Sequence, residues 1–236
     1  MRLLSNENEG RMKYNFALML GVFLLLLVGC HTPIGDVGQK TAWKLHFSDD
    51  FNRSDIGGEW KVCQGDWSVK NGSLQGSGCI ISTRGFPDDS WGFTRLEYEV
   101  ETDANTKLGF SGLGALIHAR PPEKFSQNPW AGGYLFKFGD STNTSNKIWR
   151  DGKEIATDLN MGTLIGTDNV HRIILENDQG ELRLIVDDKL IVECKDNSPF
   201  FAGKDYNRIG FYFENNAKVR NVKVYIKRMD DRDMFL

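Results

Sequence analysis

The chain has 236 residues and a formal net charge of −3, with 29 basic and 32 acidic side chains interleaved along it. No basic stripe is present to meet a phosphate backbone, which argues against nucleic acid as a partner. With 25 Gly, only 6 Pro and 11% aromatic residues, the composition suits an antiparallel β protein rather than a helical bundle or a disordered chain.

The first feature in chain order is "RMKYNFALMLGVFLLLLVGC". Arg11 and Lys13 precede an apolar run, Phe16 to Val28, that is too short to cross a bilayer, for which roughly 20 residues are needed. A basic segment, a short apolar segment and a small-residue end read as a secretory signal. The closing "LVGC" resembles the lipobox of bacterial lipoprotein signal peptides. That resemblance implies cleavage before Cys30, lipidation of Cys30, and attachment to the cell envelope through the lipid. By the same resemblance His31, in place of an Asp, favours the outer membrane. The expected organisation is a signal peptide over 1–29, a lipid anchor and tether over 30–42, one β domain over 43–228 and a tail over 229–236. The first 29 residues hold three basic and two acidic side chains, so the mature part carries −4.

Strand signals then dominate. "WKLHFSDDF" is followed by "WKVCQGDWSVKNGSLQGSG", whose apolar alternation around Asn71-Gly72 is a hairpin signature. A two-residue turn there pairs position 64 with 79, leaving Cys63 one place out of register with Cys79. A bulge would be needed for the two to bond. "CIISTR", "TRLEYEVETD", "GALIHAR", "GYLFKFGD", "NKIWRDGKEI", "VHRIILEND", "ELRLIVDDKLIVE", "NRIGFYFEN" and "KVRNVKVYIKR" complete the set, with "RDGK" and "VDDK" as turns. About a dozen short strands with polar turns predict an all-β, two-sheet antiparallel jelly-roll sandwich. The segment 121–132, "PPEKFSQNPWAG", is expected to be a surface loop. No His/Cys cluster suggests zinc, and no phosphate loop or serine elbow is present.

Together "DDFNRSDIGGEWKVCQGDWSVKNGSLQG", "GALIHAR", "GYLFKFGD" and "NRIGFYFENNAKVRNVKVY" resemble the concanavalin A-like lectin/glucanase superfamily, and within it domains related to the 3-keto-disaccharide hydrolase domain family. The resemblance spans roughly residues 43–228. It implies a concave sheet face that meets sugar chains, and it licenses no particular reaction. Many superfamily members hold a structural Ca²⁺. Asp49 and Asp50 are the candidates here, although two adjacent carboxylates fall short of the six to eight oxygens calcium takes, and turn formation explains them equally. No other cofactor is implied.

Strand parity sorts the side chains. Leu96, Tyr98 and Val100 share one face, opposite Arg95, Glu97, Glu99 and Glu101. Ala115 and Ile117 are expected inside, with Leu116, His118 and Arg120 outside. Tyr134, Phe136 and Phe138 oppose Leu135 and Lys137, and Ile209, Phe211 and Phe213 oppose Arg208, Tyr212 and Glu214. If these strands share the concave sheet, Glu97, Glu99, His118, Lys137, Tyr212 and Glu214 converge there. Trp130 and Trp149 would supply a stacking rim. Trp43, Trp60 and Trp67 alternate into the core, whereas Trp91 lies near a turn.

Three readings follow. The leading one is an envelope lipoprotein whose jelly roll binds a polysaccharide or oligosaccharide through Lys137, Trp130, Trp149, Tyr212 and Glu214. The second is a glycoside-cleaving enzyme using Glu97 or Glu99 with His118 as acid and base. The third is an adhesion or structural module without a sugar site.

Overall fold

A computed structural model describes residues 42–87, 92–102, 112–125, 128, 130, 132–159, 170–200 and 205–227. The chain divides into Met1–Lys40 and Thr41–Leu236, and the described residues belong to the second unit. The expected signal peptide, Cys30 and Trp91 therefore lie outside the described residues.

Twelve strands follow in order: β1 Lys44–Asp49, β2 Trp60–Lys70, β3 Ser73–Ser82, β4 Phe93–Thr102, β5 Leu113–Ala119, β6 Tyr134–Gly139, β7 Ser145–Arg150, β8 Lys153–Asp158, β9 Val170–Asp178, β10 Glu181–Val186, β11 Lys189–Lys195 and β12 Arg208–Ile226. Every pairing is antiparallel. The expected all-β, two-sheet jelly-roll sandwich is what forms.

The long strand β12 serves both sheets. Its first half, Gly210 to Phe213, pairs with β3 on one side and β5 on the other. Its second half, Ala217 to Ile226, pairs with β4; on its other edge Ala217 to Val219 stay beside β3 and the end pairs with β1. The register breaks between Phe213 and Ala217, where the strand passes from one sheet to the other. One sheet thus runs β2-β3-β12-β5-β6-β7-β8, and the second runs β12-β4-β9-β10-β11. We call them the front and back sheets.

The hairpin turns follow from residues that accept positive φ. Asn71 (51°) and Gly72 (68°) join β2 to β3, with Lys70 opposite Ser73. Asp151-Gly152 and Asp187-Asp188 turn "RDGK" and "VDDK" in the same way. Gln64 pairs with Cys79 and the register slips between Val62 and Gln64, so Cys63 is the extra residue of a bulge.

The core lies between the sheets. Leu96, Tyr98 and Val100 of the back sheet meet Ile209, Phe211 and Phe213 of the front sheet. Tyr98 sits edge-on to Phe211 at 5.1 Å, Trp60 stacks on Phe211 at 5.5 Å, and Trp67 packs on Phe213 at 5.5 Å. Trp43 departs from expectation. It is half-buried outside the core with the Lys227 ammonium 4.4 Å above its ring, because it precedes β1 and has no partner strand to turn it inward.

Candidate functional site

The two outer faces of the sandwich differ in chemistry. The back face is a lattice of ion pairs. Glu97 meets Arg95 and Arg172, Glu176 meets Arg95 and Arg183, and Glu101 meets Lys218 and Arg220. Glu176 stands directly opposite Arg95 and Arg183, and Glu101 opposite Lys218, while Arg172–Glu97 and Arg220–Glu101 run diagonally between strands and Arg95–Glu97 lies along β4. The carboxylates of "LEYEVE" are thus part of a solvated charge pattern on β4.

Two consequences overturn the expected convergence. Glu97 and Glu99 belong to the back sheet, because β4 pairs with the second half of β12, so they lie on the opposite side of the sandwich from Lys137 and Tyr212. His118 faces neither outer surface. Arg208 pairs with Ala119 and Gly210 with Leu116, so Ile117 and His118 together oppose Ile209 in a bulge. With φ at 50°, His118 turns inward beside Ile117 and is fully buried between Phe86 and Tyr134. Its Nδ1 lies 3.2 Å from the Tyr206 carbonyl oxygen and its Nε2 lies 3.1 Å from Thr94 Oγ1. A carbonyl can only accept, so Nδ1 carries the proton and Nε2 accepts from Thr94. Burial pulls its pKa down to about 4 against the partial support of the Tyr206 carbonyl. The acid–base set Glu97, Glu99 and His118 does not assemble.

Asp49 and Asp50 do not fit calcium. Asp49 Oδ1 accepts from the Phe51 amide (2.9 Å) and Arg53 Nη1 (2.7 Å), while Oδ2 accepts from Arg53 Nη2 (2.8 Å) and Trp60 Nε1 (2.8 Å). Burial opposes the charged form, yet the bonds from Arg53, Trp60 and Phe51 hold the Asp49 carboxyl below its usual range. Asp50 closes a turn by accepting from the Asn52 amide at 2.9 Å. Among the described residues no group of three or more His, Cys, Asp or Glu could hold a metal ion.

The front face is built differently. Its floor is apolar: Cys79 and Ile81 of β3, Leu116 and Ala119 of β5, and Leu135 of β6. Packed against that floor are Phe125, Trp130, Trp149 and Tyr212. Parity places them: Leu135 pairs with Trp149, Tyr212 with Cys79, and Lys137 with Lys147, all on one face. Of the segment 121–132, Phe125 and Trp130 pack onto this face. The base of the segment is tied by the Arg120 amide donating to the Gly132 carbonyl at 2.8 Å. A Cβ at Gly132 would come within 2.3 Å of Phe125 Cε2, so glycine lets the segment fold onto its own aromatic ring.

Trp130 hangs from that segment over Lys137, with the ammonium 4.3 Å from its ring centroid. It stands edge-on to Trp149 at 4.8 Å and to Tyr212 at 5.9 Å. Lys137 is only 1% exposed and is held by Asp140 at 2.5 Å and Glu214 at 3.5 Å. Lys147 bridges Asp140 (3.5 Å) and Glu154 (3.1 Å), extending a chain of alternating charges along β7 and β8. Asp140 is delivered by a tight left-handed turn, Ser141 to Asn143 all having positive φ, that joins β6 to β7. Burial, then the neighbouring Glu214 charge, pushes the Tyr212 hydroxyl up to about 12, so it remains a protonated donor. Among the described residues the buried Trp149 indole N–H has no acceptor.

The structure therefore brings Lys137, Trp130, Trp149, Tyr212 and Glu214 together on one face. Asp140, Lys147 and Glu154 join them there unforeseen. Lys147 and Glu154 were legible as outward positions, Lys147 by sharing the parity of Trp149 and Glu154 by standing opposite Trp149 across the Asp-Gly turn. Asp140 had no signal, since its placement depends on the left-handed turn.

No protein-family model matches the chain, and no curated protein matches its sequence. Solved structures do share the fold. The VIP36 exoplasmic/lumenal domain, solved with Ca²⁺ and Man3GlcNAc, has 11% identity and a TM-score of 0.59, covering 82% of this chain and 95% of that one. The carbohydrate recognition domain of Emp47p has 12% identity and a TM-score of 0.56, covering 80% and 99%. The carbohydrate-binding module CBM66 from Bacillus subtilis has 18% identity and a TM-score of 0.53, covering 70% and 94%. At these identities the likeness establishes a lectin-type β-sandwich fold, consistent with the concanavalin A-like architecture. The narrower likeness to the 3-keto-disaccharide hydrolase domain family rests on the quoted sequence segments alone.

Proposed function

We propose that the domain is a carbohydrate-binding module whose ligand lies across the front face, over Trp149 and Tyr212 and beneath or beside Trp130. The observation that carries this is the aromatic cluster found on only one of the two outer faces. Both faces carry ion pairs, but among the described residues the front face alone gathers three aromatic rings, seated over buried Lys137 and rimmed by the more exposed Glu214, Lys147 and Glu154. Sugar rings offer apolar C–H faces for aromatic stacking and hydroxyls for a few fixed polar groups, and this face supplies both. Structural neighbours that are a carbohydrate-binding module, a carbohydrate recognition domain and a domain solved with Man3GlcNAc add support.

The proposal is of binding rather than cleavage. A glycosidase acid must keep its proton, which takes an apolar pocket or a neighbouring like charge. On the front face Asp140, Glu214 and Glu154 each have a lysine ammonium within 3.5 Å. The test is a glycan array followed by titration of the ligand it identifies into Trp149→Ala. Affinity unchanged by that substitution refutes the front-face site.

We further propose that the module is carried on a lipid at the cell envelope, on the basis of "LVGC" after a short apolar run. Stable anchoring takes more than one acyl chain, which lipoprotein modification of Cys30 would supply. Cys30→Ala should move the protein from the membrane to the soluble fraction. Unchanged partition, with no lipid mass on the Cys30 peptide of the wild type, rules out the anchor.

A further inference from the structure

We infer that the front face holds a second subsite, built on Arg208 and Lys61, that takes the anionic group of an acidic glycan, a carboxylate or a sulfate ester. The sugar part of this inference rests on the proposed function. The anion part does not.

A cleft of about 290 Å³ opens on the β2 side of the face, lined by Lys61, Thr83, Pro122, Glu123 and Arg208. That is near the lower end of small-molecule sites, roughly 300–1,000 Å³. Arg208 opens β12 and shares its outward parity with Gly210 and Tyr212. At about 3.3 Å per residue, Arg208 and Tyr212 are roughly 13 Å apart on one strand face. A short oligosaccharide can span both.

Arg208 is held in place, but among the described residues no carboxylate bonds to it. Its Nη1 donates to the side-chain and main-chain oxygens of Asn207. Beneath it lies Gly85, where a Cβ would come within 2.1 Å of Nη1, so only glycine leaves the slot the guanidinium occupies. Its Nε is buried with no hydrogen-bond partner. Burial lowers its pKa, and the carboxylate that offsets this, Glu123, acts through space and not through a bond. This differs from the aromatic end of the face, where both lysines already contact carboxylates. The guanidinium is partly desolvated, and among the described residues only its Nη1 makes hydrogen bonds, so an oxyanion entering the cleft meets its Nη2 end with charge-assisted bonds. Lys61, exposed on the same cleft, adds a second positive charge.

The remaining lining groups set the orientation. Thr83 Oγ1 spends its proton on the Gly58 carbonyl at 2.7 Å, so it can only accept, and it suits a sugar hydroxyl rather than the anion. Glu123 likewise accepts from hydroxyls and repels the acid group, confining it to the Arg208–Lys61 side. Two cations against one carboxylate leave the cleft with a net positive charge.

The experiment follows the Arg208 Nε–Hε resonance of the full domain by NMR during separate titrations with glucuronate, inorganic sulfate and methyl glucoside. Saturable movement with glucuronate or sulfate, absent with methyl glucoside, is expected. The stronger of the two anions identifies the acid group preferred. Lys61→Gln, an exposed change that spares the core, should weaken that response about fivefold, the effect of losing one exposed ion-pair contact. No movement with either anion overturns the subsite. Equal movement of exposed arginines such as Arg172 overturns it too, because that pattern is general screening. If Trp149→Ala fails to weaken glycan binding while Arg208 still responds, the proposed function falls and the anion subsite stands. The reverse pattern removes the subsite alone.

Discussion

At the scale of single residues, His118 shows how far parity can mislead. In "GALIHAR" it occupies an outward position by alternation, and a histidine beside carboxylates suggests acid–base chemistry. One bulge residue reverses its facing and converts it into a neutral hydrogen-bonded core group. No apolar pattern announces that bulge, since Ile117 and His118 both read as ordinary strand residues. The buried position has a pH consequence. The folded-state pKa near 4 lies below the unfolded value near 6.5. Between those values the unfolded chain binds the proton and the folded chain does not, so stability falls as pH drops from about 6.5 to about 4. Above that window the contribution is fully present, and below it no further loss comes from this group. The shift corresponds to roughly 3 kcal/mol at about 1.4 kcal/mol per pH unit. Urea unfolding midpoints measured across this window should fall more steeply for the wild type than for His118→Asn, an asparagine tolerating the positive φ. Parallel pH dependence in the two proteins would show that His118 is not buried neutral.

At the scale of elements, alternation was legible and sheet membership was not. The inward sets Leu96-Tyr98-Val100, Tyr134-Phe136-Phe138 and Ile209-Phe211-Phe213 are all buried as the period of two requires. The Asn71-Gly72 turn and the pairing of position 64 with 79 were likewise readable, because a two-residue turn fixes register, whereas the bulge at Cys63 was raised only as the condition for a Cys63–Cys79 bond, and both cysteines are free. What alternation could not supply is which strands are neighbours. β12 passes between sheets at Glu214–Asn216, so β4 and β5, consecutive in sequence, fall on opposite layers. That crossing separates Glu97 from Lys137. The contrast between buried and outward positions gives a direct check. Phe211, fully buried and touching Trp60, Tyr98 and Phe213, should cost about 3–5 kcal/mol when changed to Ala. Glu97→Gln disturbs only partly exposed ion pairs and should cost about 1 kcal/mol or less. Equal losses in chemical denaturation would contradict the facing of β4 and β12.

At the scale of the whole molecule, two outer faces divide the labour of a sandwich. The back face keeps the sheet soluble by pairing charges across strands, and the front face concentrates aromatic area over an apolar floor. The sequence carried the members of the front site, Trp130, Trp149, Lys137, Tyr212 and Glu214, as scattered outward residues. It did not carry their grouping, which depends on the order β3-β12-β5-β6-β7 and on Trp130 packing onto the face. The most direct measurement is calorimetric titration of the array-identified glycan into the wild type, Trp149→Ala and Arg172→Gln, with folding checked for each. A front-face site predicts that Trp149→Ala weakens binding by about 1–3 kcal/mol, tenfold or more over most of that range, while Arg172→Gln on the back face leaves affinity within about twofold. Loss of affinity with Arg172→Gln and none with Trp149→Ala would place the ligand on the other side of the molecule and contradict the account.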